Sequence, residues 1–525
     1  MTSWKPLLAA LALALGPGAA VAQSASHTTA ELDAALARSD ERLPTTLALG
    51  DALQRALADN LGLQARIREL EAASWRAKAA IAPWIPVLTA GANYSPSRNR
   101  SYDDRFQVWR QTRGNSGNYN IGVSFASPVG TTFDARWSQG GFNQSLLWEL
   151  EDDDPLRLVL EDQDFKTRFS AISLSLNQSL LRGISPSFHM DTLWKAEIAV
   201  DLAGVRQEQE MAQVVADALK AYWDLVAARE LLTIARDSRE LAEGQREVTE
   251  ARIGAGELAP IELLRIDETV ATRSSEVLDA LRAVEEAEGR LKMVLGVDLT
   301  DELAFAEIIP TDGVELLLPE RTREGSLRSA LENNPQLLLS RGDLETREID
   351  WTRAKHTQLP TLDFNASLTL NGQGFTDQEA VSDVFDGKFP ELQMGAQLTV
   401  PLPDIGSFHN AKASRADVEA ALLQLQQAEL EVLSGIEAAF LSVRSFDKKV
   451  DVEGVRIELA ARSVEAAEAT YEVGRNTLRD VLDAQQALKS AQQARVAARV
   501  QALGARVDLE VLRGTLLETL GVELQ

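Results

Sequence analysis

A segment in the second half of the chain alternates strictly between apolar and polar residues. Its apolar positions are Leu362, Phe364, Ala366, Leu368 and Leu370, and the polar positions between them are Thr361, Asp363, Asn365, Ser367 and Thr369. Side chains on a strand point alternately to its two faces. The pattern therefore predicts a β-strand with one apolar and one polar face, near the ~9–11 residues that a tilted membrane-spanning strand needs. Its returning partner is predicted to contain Met394, Ala396, Leu398 and Val400.

The first half of the chain contains the same kind of strand pair. The outgoing run contains Leu88, Ala90, Ala92 and Tyr94, and the returning run contains Ile172, Leu174 and Leu176. Two further alternating runs, 119–125 and 131–137, lie between them and are joined by Ser127-Pro128-Val129-Gly130. They predict either a third hairpin, which gives six strands rather than four, or a long folded external loop. The pattern supports both interpretations equally.

Outside the strands the apolar spacing changes to that of α-helices. A short helix is predicted from about Leu47 to Ala82 and another from Ser326 to Gln358, each ended by a nearby proline. Two long segments contain no proline, from Ser187 to Ala259 and from Asp404 to the C-terminus. They carry apolar residues at steps of four and three, as in coiled coils: Met211, Val215, Ala218, Tyr222 and Leu225, then Leu433, Ile436, Phe440 and Val443. A helix of ~60 residues is ~90 Å long and would project well away from any membrane.

The two halves are copies of one unit. The residues Leu53, Ala56, Leu57, Asn60, Leu63 and Pro86 recur 274 residues later as Leu327, Ala330, Leu331, Asn334, Leu337 and Pro360. A second set, from Val215 to Gly296, recurs 218 residues later, so the first copy has 56 extra residues between its strands. The predicted domains are a first repeat (23–298, with strands about 87–181 and a long helix pair 187–298), an equatorial segment (299–325), and a second repeat (326–525, with strands about 361–402, a long helix pair 408–516 and a short tail).

The N-terminus is typical of a secretory signal peptide, predicted at 1–22. Lys5 precedes an apolar stretch, a Gly16-Pro17-Gly18 breaker and the small-residue site Ala20-Val21-Ala22. The rest of the chain has no apolar run of the ~20 residues that a membrane-spanning helix needs. Any part that enters a membrane is therefore expected to consist of strands.

The amino-acid composition argues against several kinds of functional site. The chain has no cysteine, four scattered histidines and five methionines, which argues against disulfides, a thiolate nucleophile, a metal site or a cofactor. A formal net charge of −26 and a pI of about 4.7 oppose binding to a phosphate backbone, so no nucleic-acid partner is expected. The acidic segment from Glu149 to Asp164 is predicted to be a solvated external loop.

Short motifs connect this pattern to a known family. They are Gln178-Ser179-Leu180-Leu181-Arg182-Gly183 at the first strand-to-helix junction, and Tyr471-Glu472-Val473-Gly474 ahead of Asp480-Val481-Leu482-Asp483. With them, and with its repeated order of helix, strand hairpin and helix pair, the chain resembles the TolC-like outer-membrane efflux proteins over nearly its whole mature length. The resemblance implies an α+β membrane protein, in which three copies share a transmembrane β-barrel continued by a long periplasmic α-helical coiled-coil barrel.

The same resemblance implies a function without catalysis. The homotrimer would be a passive export channel in the outer membrane of a Gram-negative-type cell, with lipid around the barrel and a large periplasmic portion. A periplasmic adaptor and an inner-membrane pump of a tripartite efflux or type I secretion system would open it. Whether the exported substrate is a drug, a metal or a protein stays open.

The resemblance also assigns residues to a periplasmic gate. Asp480 and Asp483 lie three residues apart on one helix face, and rings of such carboxylates would favour cations. The links that hold the gate shut are carried over to Gln245 with Glu468 and to Glu262 with Tyr471. The adaptor-facing tips are predicted at Gly256 and Gly474, where glycine interrupts the long helices.

One gate position departs from the family pattern. Asn476 stands where the best-known member has an arginine that anchors the closed state. A neutral amide makes weaker hydrogen bonds than a guanidinium–carboxylate pair, so closure is expected to be looser unless Arg475 or Arg479 compensates.

Two other classes of function fit the sequence less well. A periplasmic coiled-coil scaffold or adaptor protein without a pore accounts for the helices and the signal, but not for the alternating strands. An enzyme is disfavoured because no nucleophile–base or phosphate-binding arrangement stands out. Five aromatic residues are predicted either to form interfacial girdles or to be ordinary loop and core residues: Trp84, Tyr94, Trp109, Trp137 and Trp148.

Overall fold

The computed structural model describes residues 44–105, 107–149, 163–313, 318–319 and 321–522. The predicted signal peptide at 1–22 and most of the predicted acidic loop lie outside the described residues. The chain divides into two compact units, which are treated separately below. The helical unit comprises Met1–Gln64, Glu210–Leu327 and Gly435–Gln525, and the sheet unit comprises Ala65–Gln209 and Arg328–Ser434.

Most of the strands form one antiparallel sheet. In chain order the strands are β1 (Pro44–Leu47), β2 (Val87–Asp103), β3 (Val108–Ala126), β4 (Thr131–Glu149), β5 (Gln163–Ser179), β6 (Glu307–Pro310), β7 (Thr361–Gly374) and β8 (Phe389–Thr399). The large sheet has the order β2-β3-β4-β5-β7-β8. The alternating runs 119–125 and 131–137 lie in β3 and β4, which pair with each other and with β2 and β5. The interpretation with a third hairpin and six strands is therefore confirmed.

The sheet has two chemically different faces. Residues opposite each other on neighbouring strands lie on the same face. One row across all six strands consists of Leu88, Val123, Ala135, Leu174, Leu368 and Leu392. The adjacent row, on the other face, consists of Val87, Ser124, Asp134, Ser175, Ser367 and Gln393. The alternation predicted for β7 is confirmed, and it continues in register through the sheet.

The polar face is the concave one. The five polar residues of that second row line a single cavity of about 980 Å³. Val87 of β2 and Gly395 of β8 line the same cavity, although these strands are the two edges of the sheet. The sheet therefore curls around its polar face and leaves its apolar face on the convex side.

The helices are, in chain order, α1 (Leu49–Asp59), α2 (Leu61–Ala79), α3 (Pro186–His189), α4 (Asp191–Gly254), α5 (Ile261–Val294), α6 (Glu302–Phe305), α7 (Arg323–Asn333), α8 (Pro335–Thr357), α9 (Asp377–Phe385), α10 (Ile405–Glu472), α11 (Leu478–Arg513) and α12 (Leu516–Leu520). With 64 residues, α4 is about 96 Å long. No helix in the described part of the chain is both long enough and apolar enough to span a membrane.

Each predicted short helix is two helices. The break lies at Asn60 in the first repeat and at Asn334 in the second. The side-chain oxygen of Asn334 accepts hydrogen bonds from N–H groups two and three residues later (2.9 and 3.3 Å), and that of Asn60 accepts one three residues later (3.1 Å). An asparagine that caps a new helix ends the previous one, and Pro335 lacks the N–H that a continuous helix needs. The prediction of single helices over Leu47–Ala82 and Ser326–Gln358 is wrong for this reason.

A large apolar core lies in the helical unit around α4. Tyr222, Trp223 and Leu225 of α4 are fully buried, and Leu291 of α5 and Leu516 of α12 pack into the same cluster. The predicted coiled-coil positions of the first repeat are all buried in this core, which confirms that seam. The second seam is less complete: Ile436 is buried but Leu433 is 44% exposed.

The hydroxyl of Tyr222 connects this core to the start of the first repeat. It donates a hydrogen bond to the carbonyl of Leu47 at the end of β1 (3.0 Å) and accepts one from the N–H of Asp312 (3.1 Å). The Asp312 carboxylate in turn accepts a hydrogen bond from the N–H of Leu49, the first residue of α1 (2.7 Å). β1 also pairs in parallel with β6. This connection between the first repeat and the equatorial segment was not predicted from the sequence.

We predict that Tyr222→Phe lowers the free energy of unfolding by about 1–3 kcal/mol, because it removes two hydrogen bonds, one to the carbonyl of the buried Leu47 and one from the N–H of Asp312. Helix unfolding of the protein in detergent, followed by circular dichroism against denaturant, measures the change. Tyr94→Phe is the matched control, since the Tyr94 side chain is 67% exposed and should change stability by under about 0.5 kcal/mol. Equal effects of the two variants would contradict the assignment.

Candidate functional site

The long helices form two hairpins with the same turn geometry. Residues 255–260 join α4 to α5, and residues 473–477 join α10 to α11. Gly256 and Gly474 have left-handed φ values of 78° and 74°. In both turns the glycine N–H donates to the carbonyl three residues earlier, and the next N–H donates to the carbonyl five residues before it (2.9 Å in each). This is the Schellman arrangement, in which a left-handed residue, usually glycine, ends a helix.

An apolar cluster joins the two hairpins next to these turns. This tip cluster consists of Ile266 of α5, Ala467 and Tyr471 of α10, and Leu478 and Val481 of α11. The guanidinium of Arg252, from α4, lies 5.1 Å from the ring centroid of Tyr471. Apolar packing and one cation–π contact therefore hold the tips together.

The predicted gate link between Glu262 and Tyr471 is not formed within the described part of the chain. The Tyr471 hydroxyl is buried and has no hydrogen-bond partner among the described residues. The Glu262 carboxylate instead pairs with Arg265, one helical turn along α5 (3.3 Å). The reason is local: the Tyr471 ring turns into the tip cluster, and a cation on its own helix satisfies Glu262.

In the predicted link between Gln245 and Glu468, the Glu468 side chain has a different partner. Glu468 accepts a hydrogen bond from the amide of Gln485 on α11 (3.0 Å). The structure therefore ties Glu468 to the other helix of its own hairpin. For Gln245, the described hydrogen bond is made by its backbone carbonyl, which accepts from Thr249 (2.8 Å).

Asp480 has a structural role that the sequence analysis missed. Its carboxylate accepts hydrogen bonds from the N–H (2.8 Å) and the hydroxyl (2.7 Å) of Thr477, at the start of α11. The hydroxyl bond first, and then the backbone bond, lower the pKa of Asp480 below its ordinary value. The spacing Thr-x-x-Asp ahead of an apolar run is the signature of a capping box and would have revealed this role. Asp480 is exposed, so capping leaves its charge open to solvent.

The other two gate positions make contacts within their own hairpin. The amide of Asn476 donates to the hydroxyl of Thr470 across the turn (2.7 Å). Arg479, one of the two arginines named as able to compensate at this gate, lies 3.7 Å from Asp483 on the same helix, and both side chains are strongly exposed. Such an exposed pair contributes little to stability.

A buried charge cluster, also missed from the sequence, joins the hairpins further along α5 and α11. Glu276 of α5 lies 3.1 Å from Arg273 of the same helix and also bonds Lys489 of α11. Arg273 is 8% exposed and Lys489 is 5% exposed. Burial acts to raise the pKa of Glu276, but the hydrogen bonds and charges of Lys489 and Arg273 outweigh it and hold the pKa below the ordinary value of 4.5. Both cations line a cavity of about 450 Å³ between the hairpins.

We predict that Gly474→Ala destabilises the hairpin by about 1–2 kcal/mol, because a side chain is strained at this left-handed position. A Cβ there would meet no neighbouring atom, so the effect is conformational and not steric. Gly454→Ala, inside α10 and also in open space, is the matched control and should stabilise by about 0.5–1 kcal/mol. Thermal unfolding of the two variants tests the opposite signs, and a destabilising Gly454→Ala would contradict this reasoning.

We predict that Glu276→Gln lowers the free energy of unfolding by about 1–3 kcal/mol, because it leaves two buried cations without a counter-charge. Since the pKa of Glu276 is lowered, its stabilisation is present above about pH 4.5 and is lost as the pH falls further. Denaturant unfolding at pH 7 and pH 4 measures both effects. Glu230→Gln breaks the half-exposed pair with Arg499 (3.3 Å) as a control and should cost less than about 1 kcal/mol. A Glu276→Gln effect no larger than the control would contradict this account.

Comparisons with known proteins extend this description. A family model described as Outer membrane efflux protein matches residues 326–515. The outer membrane protein TolC of Escherichia coli is 23% identical over 358 residues, which cover 66% of this chain and 70% of TolC. The pyoverdine export outer membrane protein OpmQ of Pseudomonas aeruginosa is 26% identical over 340 residues, covering 63% of this chain and 69% of OpmQ. The outer-membrane channel OprN has the same fold, with a TM-score of 0.63, 17% identity and 89% coverage of both chains.

Within the described residues, no group of three or more histidine, aspartate or glutamate side chains is placed to hold a metal ion. The two cations that line the cavity between the hairpins, Arg273 and Lys489, pair with Glu276. The candidate site thus consists of two helix hairpins. Their glycine turns end the helices, and the tip cluster and the buried charges join the two hairpins.

Proposed function

We propose that this chain, which belongs to the TolC-like outer-membrane efflux protein family, is the outer-membrane duct of a tripartite efflux or type I secretion system. Its relatives are outer-membrane channels and export ducts and not enzymes. A periplasmic adaptor and an inner-membrane pump select the substrate, and the duct itself is passive.

The two-faced sheet carries this proposal. Its apolar face runs in register across six strands and its polar face lines the concave side. A sheet with these faces suits a barrel wall between lipid and water. Because β2 and β8 are open edges, closure requires other copies. With three copies, six strands from each give a barrel of 18 strands, and barrels of about this size leave an aqueous channel.

The helix hairpins are proposed to close the periplasmic end. In the closed state the carboxylates of Asp480 and Asp483 form rings at the constriction, and the adaptor engages the tips at Gly256 and Gly474. Gln245, Glu262, Glu468, Tyr471 and Asn476 are proposed to make the contacts that separate during opening. Within one chain, the tip cluster and the Glu276 cluster keep each pair of hairpins together.

Conductance decides between this proposal and a scaffold or adaptor without a pore. The purified, folded protein is added to a planar lipid bilayer under voltage. Discrete current steps support the duct. A folded protein that never inserts or conducts would contradict the duct and favour the scaffold.

We predict that the double variant Asp480→Asn, Asp483→Asn weakens the cation preference of the pore, because it removes two carboxylate rings. The reversal potential in a salt gradient should move toward zero. Asparagine keeps a side-chain oxygen for the Thr477 N–H, so the start of α11 is preserved. The double variant Asp480→Glu, Asp483→Glu keeps both charges and should keep the wild-type reversal potential. An unchanged potential in the asparagine variant would reject this position for the gate.

A further inference from the structure

Helix α9 lies at one end of the sheet, between β7 and β8. β7 begins three residues after α8 ends, and α10 begins soon after β8 ends. The helices α8 and α10 therefore join this β-hairpin at the end opposite to α9. α9 begins with Thr376, whose hydroxyl accepts a hydrogen bond from the N–H of Glu379 (3.3 Å) while the Glu379 carboxylate accepts from the N–H of Thr376 (3.3 Å). This capping box makes α9 a defined element and not an irregular loop.

The helix packs on the apolar face of the sheet. Gly372 and Gly374 of β7 lie on the same face as Leu368 and Leu370, because they are an even number of residues further along the strand. A side chain at Gly372 would overlap the carbonyl of Ala380, and one at Gly374 would come within 2.5 Å of the Glu379 Cβ. Only glycine lets α9 lie this close to the convex side of the sheet.

α9 covers the row in which the apolar face ends. Gly372 stands opposite Ser170 of β5, which stands opposite Gln139 of β4. Both polar side chains are buried, at 1% and 6% exposure. One row beyond, Arg168 of β5 lies 3.6 Å from Asp377 of α9. The helix therefore sits at the boundary between the apolar rows and the polar end of the sheet.

Two phenylalanines at this boundary face outward. Phe375 precedes α9 and is 74% exposed, and Phe385, the last residue of α9, is 76% exposed. Ala380 and Val384, on the side of α9 that faces the sheet, are buried. Tyr119 lies in the same row of the sheet as Ser170 and is 44% exposed. Exposed aromatic rings at the end of a continuous apolar face are typical of the boundary between hydrocarbon and lipid headgroups.

We propose that α9 is an interfacial anchor, and that Phe375 and Phe385 insert into the headgroup boundary of the membrane leaflet at this end of the sheet. The occupant is lipid and not a protein, because the two rings continue the apolar face that crosses all six strands. The proposal rests on the proposed function, in which that face meets the membrane. It adds a docked helix that fixes the depth of the sheet in the bilayer.

Site-directed spin labelling tests the anchor in the full-length protein in lipid vesicles. The chain has no cysteine, so a single introduced cysteine is the only labelled site. Labels at Phe385→Cys and, independently, at Phe375→Cys should collide several-fold more with oxygen, which partitions into lipid, than with a water-soluble nickel chelate. Glu458→Cys, exposed on α10, which is periplasmic in the proposed duct, is the water-facing control and should favour the chelate.

Two reference labels separate failure of the anchor from failure of the duct. Leu392→Cys lies on the apolar face of β8 and Gln393→Cys on the polar face. If Leu392 favours oxygen while both phenylalanine positions favour the chelate, the anchor is wrong and the duct stands. If Leu392 also favours the chelate, the proposed function fails. Exclusion of both reagents from both phenylalanine positions would mean a protein contact and would overturn the lipid assignment.

Discussion

The rest of the structure depends on a sheet whose apolar face and two edges are not covered within the described part of one chain. Six strands carry an apolar convex face, a polar concave face and two open edges. Water is a poor solvent for the apolar face, and hydrocarbon is a poor solvent for the backbone groups along the edges. In the proposed duct, a membrane together with further copies of the chain would remove both costs. The proposed barrel follows from this constraint. Helix α9 covers the row of the sheet in which the apolar face ends.

The apolar packing of the helical unit differs between its main core and its hairpin tips. Its main core is dense around Tyr222 and Trp223, whereas the hairpin tips have only a small cluster around Ile266 and Tyr471. The buried Tyr471 hydroxyl in this small cluster has no hydrogen-bond partner among the described residues. The hairpin tips are thus held by less apolar packing than the main core, at the position where the proposed duct opens.

Much of the fold could be predicted from the sequence because it rests on local periodicity. The strand alternation and the seam through Val215 and Tyr222 were readable, but alternation alone could not tell whether β3 and β4 joined the sheet. The helix breaks were missed because the apolar pattern continues through Asn60 and Asn334. At the second break, Asn334 followed by Pro335 is a recognisable stop. The short helix α9 was missed because its nine residues are too few to show a period.

The candidate site was less predictable. The Thr477-x-x-Asp480 box was a local signal that could have been read. The Glu276–Lys489 bond could not, because it joins residues 213 positions apart on different helices. The link proposed for Glu262 came from the family, and it is not formed within this chain because Arg265 is nearer on the same helix.

The most direct test of the account is a cysteine scan along β7 in the assembled protein in its membrane. Each residue from 365 to 370 is replaced in turn, and its reaction rate with a membrane-impermeant maleimide is measured. The account predicts fast reaction at positions 365, 367 and 369, which face the proposed aqueous channel, and slow reaction at 366, 368 and 370, which face lipid. Equal rates at all six positions, or the reverse alternation, would contradict a sheet that separates lipid from water.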